Sequence, residues 1–283
     1  MPGPCQCRVV AGIIGYVLLM APAYSQGRMA TKGFACRSEA SFTATVAAAI
    51  DGRTLVLSDG REVRLAMIES PPLARPLAGP LAHGDAGLPG ARAAHAALLA
   101  LVAGREVSVA PLTPASDRYG RVLARAYLSR DGRSRSLEAE LVATGHAFVS
   151  PFAGDRACGE DLRAAEGKAR AEKLGLWGDP YYEIKQADDP AAVLAARGRF
   201  TIVEGRVVSV RESGGTVYVN FGRRWSEDFT VTILKRSLRL FAAAGLEPRT
   251  LAGRRVLARG VIEERGGPWI EARRPEQIDF LDR

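Results

Sequence analysis

From Ser41 onward hydrophobic and polar positions alternate with a period of two, the repeat of a half-buried strand. Thr45–Ile50 runs into Asp51-Gly52, Thr54–Leu57 runs into Ser58-Asp59-Gly60, and Glu62–Ile68 follows. Asp-Gly between β-rich runs favours a tight hairpin, because both residues tolerate left-handed backbone. These segments therefore predict a three-stranded meander. After a Pro- and Gly-rich loop over 71–90, the period becomes helical across Ala91–Val102, with Gly104 as the stop. Strands at Arg105–Val109 and Arg121–Leu128 and helices at Leu137–Thr144 and Glu160–Leu174 complete the first half. Five strands with a helix after the third is the order of an OB-type barrel.

The same order recurs. Gly178-Asp179-Pro180 ends the first half, and Asp189-Pro190 opens a short helix, Asp as N-cap and Pro at N1, that ends near Gly198. The boundary is expected within 180–198. Beyond it lie strands Arg199–Arg211, Thr216–Phe221 and Asp228–Leu234, a helix Lys235–Ala244, and strands Arg254–Glu263 and Pro268–Arg273. Alternation in the second strand points Val217, Val219 and Phe221 inward. The predicted fold is mainly β with helices (α+β), as two five-stranded OB-type barrels over residues 36–180 and 199–283.

Composition sets limits on this picture. Residues are 47% hydrophobic and 25% charged, which excludes a disordered chain. No apolar run reaches the roughly 18 to 20 residues of a spanning helix. Residues 197–283 hold 17 Lys and Arg against 11 Asp and Glu, and the rest holds 22 against 20. The basic excess thus lies in the C-terminal third. It suits a polyanion such as nucleic acid, and equally a solvated surface with no such partner.

The N-terminus reads as an address. Arg8 precedes the apolar run Val9–Met20, and Ala21-Pro22-Ala23 fits a small-x-small cleavage site. A signal peptide over residues 1–25 is expected, hence a periplasmic or secreted protein with no transmembrane segment after cleavage. Cys36 and Cys158 then remain as an even pair in an oxidising compartment. Two readings stand: a disulfide closing a long loop, contributing roughly 4 to 5 kcal/mol on the chain-entropy account, or two buried thiols.

Five motifs in order carry a resemblance: Asp51-Gly52-Arg53-Thr54, Val63–Pro71, Asp117-Arg118-Tyr119-Gly120-Arg121, Leu141–Gly145 and Leu174-Gly175-Leu176-Trp177. Together they resemble the staphylococcal (thermonuclease-like) nuclease family over roughly 41–178. The resemblance implies a phosphodiesterase that uses carboxylate-held Ca²⁺, a carboxylate beside the attacking water and two arginines on the phosphate. It assigns Arg64, Arg121 and Glu69 to catalysis and Asp51 and Glu69 to the metal. Asp117 and Tyr119 fall to substrate binding, Tyr119 where the family has a Tyr that flanks the nucleotide.

The acids depart from the pattern. The family's D-G-D-T reads Asp51-Gly52-Arg53-Thr54, and its D-[TA]-P-E reads Glu69-Ser70-Pro71-Pro72. A metal-ligand Asp is replaced by the cation Arg53, the other by the longer Glu69, and the catalytic Glu by Pro72. Removing a general base costs about 10²- to 10⁴-fold in rate, and Arg53 repels a divalent ion. The calcium mechanism is expected to be broken, with no cofactor unless Ca²⁺ acts in an active form. Arg64 and Arg121 serve either as phosphate ligands or as ion-pair partners of Glu69 and Asp51. In the second barrel Arg223-Arg224-Trp225 joins cations to an aromatic ring, the combination that binds single strands, with Trp269 and Arg273-Arg274 as candidates for the same face. The expected function is a monomeric nuclease-family protein that binds nucleic acid or another polyanion with weak or no hydrolysis. The alternatives are a metal-dependent phosphodiesterase acting on DNA or RNA, and a structural envelope module.

Overall fold

A closed barrel organises the first half of the chain. Its strands are β1 (Phe42–Asp51), β2 (Thr54–Leu57) and β3 (Glu62–Leu65), followed after a turn by the two-residue β4 (Ile68–Glu69). Helix α1 (Ala91–Val102) leads to β5 (Glu106–Ser116), β6 (Val122–Arg130) and β7 (Arg133–Ser136). Then come α2 (Leu137–Ala143), β8 (Phe148–Val149) and α3 (Arg156–Ala171). The sheet runs β3-β2-β1-β5-β6-β7, and a parallel pairing of β3 with β6 closes five of these strands on themselves. That circuit is OB-type. The computed structural model describes residues 1, 3, 41–73, 87–130, 133–150 and 156–282. Within the expected signal peptide only Met1 and Gly3 fall among these, and Cys36 lies outside the described residues.

Strand alternation builds the interior. Val63 and Leu65 on β3 are fully buried while Glu62 and Arg64 face out, and Leu55, Val107, Val109, Ala124 and Ala126 fill the same core. Leu98 and Val102 of α1 and Leu141 and Val142 of α2 cover it. The strand expected over Glu62–Ile68 breaks after Leu65, because Ala66 donates to Ala124 O and the chain turns before Ile68 and Glu69 pair with β8. Two glycines, Gly145 and Gly175, explain the last two motifs. A Cβ on Gly145, at φ 72°, would strike Leu174 O, and Leu176 N donates to Gly145 O at 2.8 Å. The end of α2 thus packs backbone to backbone against the turn that follows α3.

The segment between the halves, expected as a boundary, is folded. β9 (Lys185–Gln186) pairs in parallel with β10 (Phe200–Arg206), and Ala187, Val193 and Ala196, around α4 (Pro190–Leu194), enter the second core. Next come β11 (Ser209–Ser213), β12 (Thr216–Asn220), β13 (Thr230–Leu234), α5 (Leu238–Ala243), β14 (Arg255–Val261), β15 (Glu263–Arg265), β16 (Gly267–Glu271) and β17 (Ile278–Phe280). They form sheets of order β17-β14-β10-β9 and β11-β12-β13-β16-β15. The single strand expected over Arg199–Arg211 divides because Val207 N donates to Arg254 O while Val208 N donates to Asn220 O. Adjacent residues thus bond to opposite neighbours. Val217, Val219 and Phe221 do point inward.

The two halves share a buried ionic joint. Arg259 on β14, 2% exposed, donates from Nη1 to Val149 O and to Glu166 Oε2, both at 3.0 Å, and from Nη2 to Asp279 Oδ2 at 2.8 Å. Arg163 Nε stands 3.3 Å from the other Asp279 oxygen. Glu166 and Asp279 hold the Arg259 guanidinium protonated more firmly than usual, overcoming a burial cost that acts the other way. Phe34–Arg283 packs as one unit.

Candidate functional site

The turn between β1 and β2 delivers a cation to a carboxylate. Asp51 pairs with Thr54, leaving Gly52 and Arg53 at the turn, and Asp51 Oδ1 accepts the Arg53 amide at 3.0 Å. Only glycine fits at 52, since a Cβ there would run into Ser70 Oγ and lie 2.8 Å from Ala94 Cβ. This contact sets the hairpin against the residue after Glu69. Arg53 Nη1 then forms an ion pair with Glu69 Oε2, and Arg64 Nη2 approaches the same oxygen at 3.6 Å. Burial pushes the Glu69 carboxyl above its ordinary range, opposed by Arg53 and Arg64, with Asp51 adding to the upward shift. Burial and the neighbouring Arg53 charge loosen the Arg64 proton.

A second cluster lies on the turn from β5 to β6. Asp117 Oδ1 accepts the amides of Tyr119 at 2.8 Å and Arg121 at 3.1 Å, while Oδ2 accepts Arg121 Nε at 2.8 Å and lies 2.7 Å from Nη2. Burial works against ionisation of Asp117, yet these donors hold its carboxyl below the usual range. The partner of Arg121 is therefore Asp117 and not Asp51. The Tyr119 ring, 67% exposed, carries Arg118 at 4.8 Å and Arg121 at 5.2 Å from its centroid. Arg64 stands on β3 and Arg121 immediately precedes β6, its parallel neighbour, close enough that the Arg121 charge acts on Arg64.

A cavity of about 330 Å³ opens beside Arg53, Arg64 and Glu69. Pro71 and Pro72 line it on the first barrel, and Tyr181, Lys185, Arg199 and Phe200 line it from beyond residue 180. Nothing local in the sequence marks the latter four, for they become neighbours of Glu69 only when the halves dock. His95 Nε2 is 2.9 Å from Ala49 O, a packing role, and His146 Nδ1 is 2.9 Å from Thr144 Oγ1. Among the described residues no three His, Cys, Asp or Glu side chains converge as a metal-holding group.

The C-terminal half carries a separate groove. Arg211 lies directly across from Tyr218 between β11 and β12, and Arg223 and Trp225 complete the walls. Trp225 is 74% exposed. Arg224 is turned to its own loop, pairing with Glu227 at 2.9 Å and donating its amide to Asp228 at 2.7 Å. Trp269 does not join this face. It is buried on the interior strand β16 under the Arg265 guanidinium, 3.6 Å from its ring centroid. Arg273 is bound to Glu271 at 2.8 Å. Cys158 is buried with Sγ 3.6 Å from Met67 Sδ.

Comparison with known proteins bears on the first half of the chain. Residues 62–179 match the family model described as staphylococcal nuclease homologue. Protein ParB of Escherichia coli is 35% identical over 71 residues, which is 23% of this chain and 40% of that protein. The chain thus spans well under half the length of the curated relative it matches. No helix among the described residues is long and apolar enough to cross a membrane.

Proposed function

We propose, from the premise that residues 62–179 are a staphylococcal nuclease homologue domain, that this chain binds nucleic acid or another polyanion with weak or no hydrolysis. The Arg53–Glu69 ion pair carries the reading. A calcium ion needs six to eight oxygen ligands, and the residues present do not fit one. Glu69 is engaged by one guanidinium and approached by a second, and Asp51 gives its Oδ1 to the Arg53 amide. Pro72 offers no oxygen for a proton, so no water is activated from that position. Arg64 remains as a cation at the cavity wall, where a phosphate meets a planar donor set.

The second barrel is read as OB-type. Carried through the bends at Val207-Val208 and Ile262, its pairings run β10/β11–β12–β13–β16–β15/β14, the circuit of β1–β2–β3–β6–β5. Its groove then supplies stacking and charge from Tyr218, Trp225, Arg211 and Arg223 to a single strand. The protein is read as exported and monomeric, with Cys36 and Cys158 bridged; intact mass before and after reduction reads the bridge.

A second reading, a metal-dependent phosphodiesterase, draws on Arg64 and Glu69 sharing one cavity within a nuclease-family domain. Assay of the mature protein on single- and double-stranded DNA and RNA, with calcium and with chelator, separates the two. Binding without calcium-dependent turnover is the expected result. Cleavage that Arg64→Ala abolishes would establish the second reading instead.

A further inference from the structure

The cavity at Arg64 is walled on its far side by the second barrel, and that wall changes what fits. Arg199, Phe200 and Thr201 come from β10 and the residue before it, while Tyr181, Tyr182 and Lys185 come from the joining segment. We propose that this cavity is a pocket for a single nucleotide, entered by the end of a strand or by a free nucleotide of the same chemistry. The phosphate lies toward the arginines and the base lies against the rings. The proposal rests on reading the first barrel as a phosphate-binding cleft and adds the part supplied by the second.

Charge, rings, size and rigidity each support it. Arg53 and Glu69 neutralise one another, so Arg64, Lys185 and Arg199 face Glu183 alone on the cavity wall. Among the described residues neither Lys185 nor Arg199 is claimed by an ion pair. Arg199 is nonetheless held in place: its guanidinium lies 4.0 Å from the Tyr181 ring centroid and Nη2 donates to Ala195 O at 3.2 Å. A cation fixed over a ring offers charge at one edge and a stacking plane beside it. Phe148 packs at 5.3 Å from Tyr182 and 6.2 Å from Phe200, giving the pocket a continuous aromatic side.

A volume of about 330 Å³ suits one small ligand and not a strand passing through base after base. The wall does not swing aside, because Arg259 and Glu166, 2% and 3% exposed, tie the two barrels together beneath the surface. A strand must therefore present an end.

Calorimetry of a nucleoside 5′-monophosphate against the full chain tests this, with ribose 5-phosphate as the ligand lacking a base. One molecule should bind per chain, and loss of the base should weaken it about ten-fold, the ratio expected when one stacked base is removed. Arg199→Ala should weaken nucleotide binding about ten-fold, and Lys185→Ala should act in the same direction, with melting temperature confirming that each variant is folded. A 5′-phosphorylated linear oligonucleotide that displaces the nucleotide, where its circular form does not, assigns the pocket to strand ends; displacement by neither assigns it to the free nucleotide. Binding lost in Arg64→Ala but untouched in Arg199→Ala and Lys185→Ala, or displacement by both oligonucleotides alike, would overturn the pocket and leave the cleft reading standing. No binding of nucleotide or of either oligonucleotide would overturn both.

Discussion

The guanidinium of Arg53 rests on the carboxylate of Glu69, though fifteen residues and two strands lie between them. The pairing is a consequence of packing. Gly52 lets the β1–β2 turn press against Ser70, and that contact leaves the next side chain on the turn facing the residue before Ser70. Both partners are mostly covered, with side chains 14% and 21% exposed, so the charges are screened far less than those of a surface pair.

Removing one member of this pair leaves the other without its main partner. Arg53→Ala should cost roughly 1 to 3 kcal/mol, the lower part of the range for breaking a buried pair because both groups retain some water. Glu264→Ala, which breaks the open Arg197–Glu264 pair, should cost under about 1 kcal/mol. Urea denaturation of the two variants compares them. Equal, negligible losses would mean that the Arg53–Glu69 contact does not contribute to stability.

Glu138 gives the protein a pH dependence of its own. It is 1% exposed, accepts Ser136 Oγ at 2.8 Å and the Ala126 amide at 3.2 Å, and is pushed up to about 7, chiefly by burial. A carboxyl raised in the folded state binds its proton more tightly folded than unfolded. Its contribution is therefore full below about pH 4.5 and is lost as pH rises through 7, by on the order of 3 kcal/mol. Glu138→Gln should flatten the stability profile across that window. A profile unchanged by the substitution would contradict the assignment.

Arg259 should be the most sensitive position of the joint. Arg259→Ala would strand Glu166 at 3% exposure with one backbone amide as its remaining described donor, Val149 N at 2.7 Å. A loss of about 3 to 5 kcal/mol is expected. Arg259→Met, which fills the space and leaves the carboxylate equally alone, should recover only part of it. Denaturant melts followed by tryptophan fluorescence measure both.

The groove on the C-terminal half predicts a salt-sensitive single-strand affinity. Phosphate contacts by Arg211 and Arg223 release counterions, so affinity should fall steeply between low and physiological salt. Trp225→Ala should cost about 1 to 3 kcal/mol if a base stacks there. Anisotropy of a labelled oligonucleotide reads both effects, and absence of binding at low salt would remove the groove from the account.

Local rules made much of this legible. Asp-Gly turns, the Ala- and Leu-rich run of α1 and the alternation of Val217–Phe221 each depend on neighbours in sequence, and each appears where expected. Elements defined by distant partners did not. β7 reads Arg133-Ser134-Arg135-Ser136, with no apolar alternation, and is a strand only because β6 offers it an edge. β4 and β8 are two residues each and exist through one another. Trp269 looks in sequence like a ring beside cations; as a residue of a strand flanked on both sides, it is core. At the candidate site, Arg53 and Glu69 could be singled out because motif positions name them. Arg199 and Tyr181 could not, since their relation to Arg64 arises from the docking of the two halves through Arg259.

Calcium calorimetry on the full chain, beside an Arg53→Asp, Pro72→Glu variant, decides whether Arg53 has taken the place of the metal. The Arg53–Glu69 pair predicts no measurable calcium binding and no calcium-dependent rise in melting temperature for the native chain. In the variant, a third and a fourth carboxylate replace a cation and a proline, and calcium binding should appear. Tight calcium binding by the native chain, with nuclease turnover that Arg64→Ala abolishes, would contradict the account.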